Sequence, residues 1–188
     1  GTSPYNLSYS IGTTSSTTLE TKTLTAYNNA TLTNTDTVTV TVDNTAPTGP
    51  TVTCPSTYDN DGNYNVTGSA GVDNLSGVDT TASYFQRRTG TLNDADDTCT
   101  GYGSWANQGT ANAVNLGETG LGIGCYEYRY YSVDRVGNEA YSSTCMVMVD
   151  PVLPVYTENT AVTSPTTDTS PNWVTNATEA GTLTYGGS

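Results

Sequence analysis

The sequence contains no histidine and a single lysine, Lys22. Without histidine the chain cannot form a Ser-His-Asp or Cys-His catalytic arrangement, and no zinc site can use imidazole. Five Lys and Arg residues stand against 18 Asp and Glu, a formal net charge of -13, so the cations that bind a phosphate backbone or an anionic membrane are scarce. We therefore expect no enzyme activity, no nucleic-acid partner and no required cofactor.

Long apolar runs and helical periodicity are also missing. No stretch approaches the roughly 18 apolar residues of a membrane-spanning helix, so we expect no membrane insertion. Val, Ile, Leu and Tyr alternate with polar residues instead, and the chain is rich in Thr and contains 14 Tyr. Alternation and these residue types are typical of strands, which predicts an all-β protein rather than a disordered one.

Two places along the chain share one pattern, a strand that ends in Val-Asp and is followed by a proline-bearing linker. They are Val40–Pro47 and Val147–Pro154. Asp43 and Asp150 are 107 residues apart (150 minus 43), the span of one β-sandwich domain of about 100 residues with its linker. The spacing predicts a complete domain over residues 47–150.

Short strands separated by turn signals fill this interval. A polar turn at Asp59–Asn63 and a hairpin at Asp134–Asn138 separate some of them, and a long insertion precedes Trp105. We predict strands at Thr51–Cys54, Tyr64–Thr67, Ala82–Arg88, Cys125–Val133 and Ser143–Val149.

The four cysteines include no CxxC pair, which together with the lack of histidine favours disulfides over a zinc site. Three pairings are possible. We favour Cys54 with Cys145, which joins the first and last strands, and Cys99 with Cys125, which ties the insertion to the penultimate strand; free buried thiols are the alternative. Disulfides form in oxidising compartments, so we expect an extracellular or cell-surface protein.

The run Gly120–Tyr130, followed by Asp134–Asn138, resembles the last two strands of fibronectin type III and bacterial immunoglobulin-like repeats. The resemblance implies tandem immunoglobulin-like sandwiches. It also implies that Tyr126 is the corner tyrosine, with a buried ring and a hydroxyl that holds a loop. Gly68 stands where a core Trp is common in such domains.

The two ends of the chain resemble the two halves of a second domain. Ser164–Trp173 and Glu179–Ser188 are similar to the opening strands of bacterial immunoglobulin-like repeats, and residues 1–46 resemble the closing half. We predict strands there at Tyr5–Tyr9, Thr21–Tyr27 and Thr37–Val42. Residues 151–188 would thus be completed by residues 1–46 of a neighbouring unit.

Neither half can bury its apolar face alone, because a few short strands are marginal in water. We expect copies of the chain, or adjacent repeats of one longer chain, to complete each other head-to-tail. The alternatives are a chain cut through two domains and a single chain that closes on itself. The favoured function is a structural repeat of an extracellular filament, stalk or surface layer. A cell-surface adhesin or carbohydrate-binding module is the alternative, with a ligand on Tyr102, Trp105 or Trp173.

Two further kinds of site are considered. Asp59, Asp61 and Asn63 have the alternating oxygens of a calcium loop but lack the bidentate Glu of an EF-hand, so Ca²⁺ is possible there, with Asp43, Asp134 and Asp150 as other candidates. Glycosylation sequons, which arise readily in so Asn- and Thr-rich a chain, begin at Asn6, Asn29, Asn65, Asn74 and Asn176.

Overall fold

The structure is a computed structural model that describes residues 20–27, 33–179 and 181–184. Every regular element in these ranges is a β-strand, and no helix there could cross a lipid bilayer. The strands are β1 (Glu20–Tyr27), β2 (Thr33–Val40), β3 (Thr51–Thr53), β4 (Tyr58–Asp59), β5 (Tyr64–Ser69), β6 (Tyr84–Asn93), β7 (Thr98–Thr100), β8 (Ala106–Gln108), β9 (Asn115–Glu118), β10 (Gly124–Val133), β11 (Glu139–Tyr141), β12 (Cys145–Val149), β13 (Tyr156–Thr160) and β14 (Val174–Ala177).

Strands β3 to β12 form a central body of two sheets. The smaller sheet has the order β3-β5-β9, and the larger has the order β4-β12-β10-β6-β7, with β11 paired to β10 and β8 paired to β6. The pairings are antiparallel except that of β4 with β12, which is parallel. One core cluster takes Val66 and Leu116 from the smaller sheet and Phe85, Tyr128 and Val147 from the larger. The two sheets therefore pack face to face, as in a β-sandwich.

Alternation along β10 decides which side chains enter this core. Tyr126, Tyr128 and Tyr130 are buried, whereas Glu127 and Arg129 between them lie on the outer face. Successive strand residues point to opposite sides of a sheet, so this sequence can place three tyrosines on one core face only as a strand. The buried tyrosines of the core therefore come mainly from a single strand.

Gly68 on β5 makes room for two of the core rings. A Cβ atom at this position would lie 2.9 Å from a ring carbon of Phe85 and 3.1 Å from one of Tyr130. These two rings pack edge to face with centroids 4.8 Å apart. Aromatic rings from the larger sheet thus occupy the space that a large side chain on β5 would need.

Two disulfides hold the body together. Cys54 is bonded to Cys145 across 91 residues of chain, and Cys99 is bonded to Cys125 across 26. These are the two pairings that the strand order favours. The first links the segment after β3 to the start of β12, and the second links β7 to β10.

The terminal strands form two separate antiparallel hairpins, β1–β2 and β13–β14. Here the sequence predictions were inexact: β2 covers Thr33–Val40 rather than Thr37–Val42. Residues 181–184, predicted to lie in a further strand, form none. Isolated hairpins lack a facing sheet that would fix their limits, which accounts for both errors. The strand predicted at Tyr5–Tyr9 lies outside the described residues.

Candidate functional site

The hairpin β1–β2 has two unlike faces. Its register pairs Thr21 with Thr39, Thr23 with Thr37 and Thr25 with Thr35, so one face is a ladder of threonines. The opposite face, called here the N-terminal face, carries Leu24, Ala26, Val38 and Val40 together with the polar residues Lys22, Asn34 and Asp36. Leu24 and Val38 are each 39% exposed, so this apolar face is only partly covered.

The hairpin β13–β14 also carries an open apolar face. This C-terminal face consists of Tyr156, Trp173, Ala177 and Leu183, with the carboxylate of Glu158. The rings of Tyr156 and Trp173 are 5.7 Å apart, and Trp173 Nε1 donates a hydrogen bond of 2.7 Å to Glu158 Oε1. Trp173 is 46% exposed and Leu183 62% exposed, beside an open cleft of about 190 Å³.

The 107-residue spacing relates these exposed positions to buried ones. The residue 107 positions after Val66 is Trp173, and the residue 107 positions after Ala70 is Ala177. The same shift from Val40 leads to Val147. Val66 and Val147 are fully buried in the body, and Ala70 is 6% exposed. The open faces therefore repeat positions that the body encloses between its two sheets.

Three carboxylates meet where the linker after β2 reaches the body. Among the described residues, the acidic group whose oxygens all lie within 4.8 Å of one another is Asp43, Asp73 and Asp134. Asp43 and Asp134 were among the weaker calcium candidates of the sequence, whereas Asp73 was missed. No spacing signal relates Asp73 to the others, because three different segments supply the three residues.

Each of these carboxylates accepts backbone N–H groups. Asp43 accepts from Thr45 and from Ser76, at 3.0 and 2.9 Å. The Asp73 carboxylate accepts from Leu75 and Gly77. Asp134 accepts from Val136 and Asn138. Asn138 Nδ2 in turn donates 3.3 Å to the carbonyl of Asp43. The linker is therefore bound to two loops of the body.

These hydrogen bonds also govern the ionisation of the cluster. The N–H of Thr45, followed by the Ser76 hydrogen bonds, lowers the pKa of Asp43. Burial acts to raise the pKa of Asp134, but hydrogen bonds from Asn138, Val136 and Gly137 outweigh it and leave that pKa lowered. Three carboxylates so placed could ligate a hard cation such as calcium. The hydrogen bonds account for the arrangement without one, so calcium stays a prediction.

The predicted calcium loop is organised as a turn. Asp59 Oδ1 accepts from the N–H groups of Asp61 and Gly62, at 3.2 and 2.6 Å. Asp61 Oδ1 accepts from the Asn63 N–H, and Asn63 Oδ1 accepts from the Gly120 N–H. The structure brings the three predicted residues together, but these contacts are ordinary Asx-turn chemistry.

A polar network lies between the sheets at one end of the core. Arg87 on β6 forms an ion pair of 2.7 Å with Glu118 on β9, and Tyr128 donates to the same carboxylate at 3.2 Å. The hydroxyls of Tyr64 and Tyr128 are 2.8 Å apart. Burial is the main cause that raises the pKa of both tyrosines. The tyrosines therefore stay protonated, and the network links the two sheets rather than supplying a nucleophile.

Two of the three aromatic residues considered as a ligand platform, Tyr102 and Trp105, lie on the outer face of the larger sheet, whereas Trp173 belongs to the C-terminal hairpin. The Arg88 guanidinium lies 4.7 Å from the ring centroids of both Tyr102 and Trp105. Arg129 lies 4.4 Å from Trp105 and 4.0 Å from Tyr141. Both guanidiniums therefore lie over the Trp105 ring, and these cation–π contacts hold the insertion against the sheet.

The structure also locates the predicted corner tyrosine and three of the predicted glycosylation sites. Tyr126 is 7% exposed and donates 3.0 Å to the carbonyl of Gly122, the arrangement that the resemblance implies for a corner tyrosine. Asn65, Asn74 and Asn176 are exposed, so their sequons are accessible. Asn6 and Asn29 lie outside the described residues.

Sequence reasoning missed the ion pair of Arg87 with Glu118, although one signal existed. Arg87 is two residues from Phe85 and therefore points to the same side of β6, into the core. A charge at an inward position requires a buried partner.

Comparison of the chain with protein-family models, with curated proteins and with solved structures gives no match.

Proposed function

We propose that the chain is a structural repeat unit of an extracellular filament, stalk or surface layer. In this proposal the central body is an immunoglobulin-like domain. The two terminal hairpins are halves of a second such domain, each completed by the neighbouring unit. Neighbouring units are either copies of the chain or consecutive repeats within a longer one.

One observation carries the proposal: apolar residues of the two terminal hairpins stand at positions that the body buries, and there Trp173 is exposed and Val40 is half-buried. Trp173 repeats Val66, and Val40 repeats Val147, at the same 107-residue shift. A two-stranded hairpin is marginally stable in water, and it gains stability when a second sheet covers its apolar face. Each hairpin has an open face and no second sheet of its own, so units joined head-to-tail would cover both.

The body suits a passive, exposed role. Its two disulfides are typical of proteins in oxidising compartments. Its clusters of charged side chains bind loops or link sheets, as the Asp43 and Arg87 contacts do. The proposal therefore assigns the body mechanical rather than catalytic work.

Ligand binding is the weaker candidate. The guanidiniums of Arg88 and Arg129 lie over the Trp105 ring, where a stacked sugar would have to compete with them. Trp173 is exposed, but it belongs to the C-terminal face that the proposed neighbour would cover. The geometry thus favours assembly over an adhesin or carbohydrate-binding module.

Negative-stain microscopy and light scattering of the purified 188-residue chain test the proposal. We expect concentration-dependent filaments from the unaltered chain. Val40→Asp, which charges the N-terminal face, is expected to leave monomers, whereas Thr39→Asp on the threonine face serves as the matched control and should still assemble. A chain that stays monomeric at high concentration, with both hairpins covered internally, would contradict the proposal.

A further inference from the structure

The two linkers of the chain begin alike but are held differently, and this contrast carries an inference that does not depend on the proposed function. We infer that the first linker, residues 43–48, is a rigid joint that holds the hairpin β1–β2 in one orientation relative to the body. The second linker, residues 150–155, is a flexible joint.

Both linkers start with the same turn. Asp43 and Asp150 each end a Val-Asp pair, and they are 107 residues apart. The Asp43 carboxylate accepts the N–H of Thr45 at 3.0 Å. The Asp150 carboxylate accepts the N–H of Val152 at 3.0 Å as well. The difference between the linkers therefore lies in the contacts that they make beyond this turn.

The start of the first linker is anchored by two loops of the body. The second oxygen of the Asp43 carboxylate accepts the Ser76 N–H at 2.9 Å. Asn138 Nδ2 donates to the carbonyls of Asp43 and Thr45, at 3.3 and 3.5 Å. The Asp134 carboxylate holds this amide in place, because Asn138 Nδ2 also donates to it at 2.7 Å. Hydrogen bonds that involve an ionised carboxylate are stronger than neutral ones.

The end of the first linker is anchored as well. Thr48 and Val72 exchange both backbone hydrogen bonds, at 2.8 and 2.9 Å. Pro47 is buried, and its ring fixes φ and restricts the backbone of Ala46 before it. Gly71 allows the close approach, because a Cβ there would lie 2.2 Å from the Thr48 carbonyl oxygen. The first linker is therefore fixed at both ends.

Little chain separates this anchor from the hairpin. β2 ends at Val40, so only Thr41 and Val42 lie between the hairpin and Asp43. Val42 is half-buried. Two extended residues span at most about 7 Å, so an anchored Asp43 limits the positions that the hairpin can take.

The second linker is exposed along its whole length. Residues 151–155 are all exposed, and Leu153 is 82% exposed. The hydrogen bonds that follow join Val155 to Thr178, at the end of the hairpin β13–β14 and not in the body. Within the described part of the chain, Leu153 and Pro154 make no hydrogen bond. The backbone there can rotate without breaking one.

Pulsed electron paramagnetic resonance of spin-labelled chains tests the two joints. The four native cysteines are all disulfide-bonded, so introduced cysteines take the labels. Thr37→Cys with Asn115→Cys reports across the first linker, and Thr157→Cys with Asn115→Cys reports across the second; all three positions are exposed and lie on strands. The chain is measured at a concentration where light scattering shows monomers. We expect one narrow distance across the first linker and a broad distribution across the second.

Matched substitutions identify the anchor. Asp43→Ala and Asn138→Ala should each replace the narrow distance across the first linker by a broad distribution. Asp150→Ala, at the same place in the second linker, should leave the distribution across that linker unchanged. Near-ultraviolet circular dichroism checks that the body of each variant is folded. Asp43 lies outside the body, so Asp43→Ala remains a test even if Asn138→Ala unfolds its turn.

The outcomes separate this inference from the proposed function. A broad distribution across the first linker of the unaltered chain would overturn the rigid joint, and so would a narrow distance that survives Asp43→Ala. Equally narrow distances across both linkers would overturn the contrast between them. Filament formation is a separate measurement, and its failure would leave the rigid joint standing.

Discussion

The central body and the terminal hairpins are made of matching strands but differ in what covers them. In the body, Val66 and Val147 have no solvent exposure, because a sheet faces each of them. In the hairpins, the corresponding residues are less enclosed: Trp173 is 46% exposed and Val40 is half-buried. Alternating apolar and polar residues are therefore sufficient to form a strand pair, whereas a closed core also requires a second sheet.

The two regions also differ in how they are reinforced. Both disulfides and the ion pair of Arg87 with Glu118 lie in the body. The described hairpins contain no cysteine and depend on their open faces for further stability. Among the described residues, covalent closure is therefore confined to the body.

The difference between body and hairpin is tested most directly by the same substitution, Val to Asp, at two corresponding positions. Val147→Asp places an unpaired carboxylate in the core, which costs several kcal/mol, and we expect the body to lose cooperative unfolding in near-ultraviolet circular dichroism. Val40→Asp in the monomeric chain should change the unfolding free energy of the body by less than about 0.5 kcal/mol. Equal destabilisation by both would mean that the hairpin is already part of a closed core.

Removal of each disulfide tests the reinforcement of the body. Because the loops closed are 91 and 26 residues long, chain entropy gives losses of about 4.6 kcal/mol for the Cys54–Cys145 pair and about 3.5 kcal/mol for the Cys99–Cys125 pair. Both cysteines of a pair would be replaced by Ala and unfolding followed in guanidinium chloride. A larger loss from the shorter loop would show that native-state contacts, not chain entropy, set the order.

Neighbouring arginines of β6 form one ion pair between the two sheets and one on the outer face, and the two pairs can be compared directly. Glu118→Gln leaves Arg87 as an unpaired charge between the sheets, and we expect a loss of about 3 kcal/mol. Glu127→Gln removes the partner of Arg88 on the outer face and should cost about 1 kcal/mol or less. Chemical denaturation of both variants measures the difference, and equal losses would place Arg87 in contact with solvent.

The smallest expected effect concerns the linker cluster. The pKa of Asp134 is lowered in the folded chain, so its contribution to stability is present above the ordinary value of 3.8 and is lost as pH falls through the lower folded value. Asp134→Asn should therefore lower the melting temperature at neutral pH and flatten its decline in acid. The melting temperatures of both chains are measured as a function of pH, with a chelator present so that no bound cation contributes. If the melting temperature of the variant declines in acid as steeply as that of the unaltered chain, ionised Asp134 does not stabilise the fold.

Sequence reasoning performed best where alternation or a turn motif is local. The inward tyrosines of β10 follow from the rule that every second residue of a strand lies on the same face. The strand order likewise favoured the cysteine pairs found in the structure. The Asp59–Asn63 turn was likewise recognisable, although its oxygens are used by backbone N–H groups.

Features that depend on the meeting of distant segments could not be predicted. Asp73 joins Asp43 and Asp134 only because a body loop lies against the linker, and no spacing in the sequence encodes that contact. The parallel pairing of β4 with β12 similarly involves two residues of a short strand without a distinctive pattern. The contacts of Trp105 with Arg88 and Arg129 depend on how the insertion folds back.

The position of the Cys54–Cys145 bond has a mechanical consequence. Tension applied across the body enters near Pro47 and leaves near Asp150, and the bond connects the chain close to both points. The 91 residues of chain between the two cysteines are thereby removed from the load path. At about 3.4 Å per residue they represent roughly 300 Å of extension that a pull cannot release while the bond is intact. A thread of such units would yield at its non-covalent junctions before any body is drawn out.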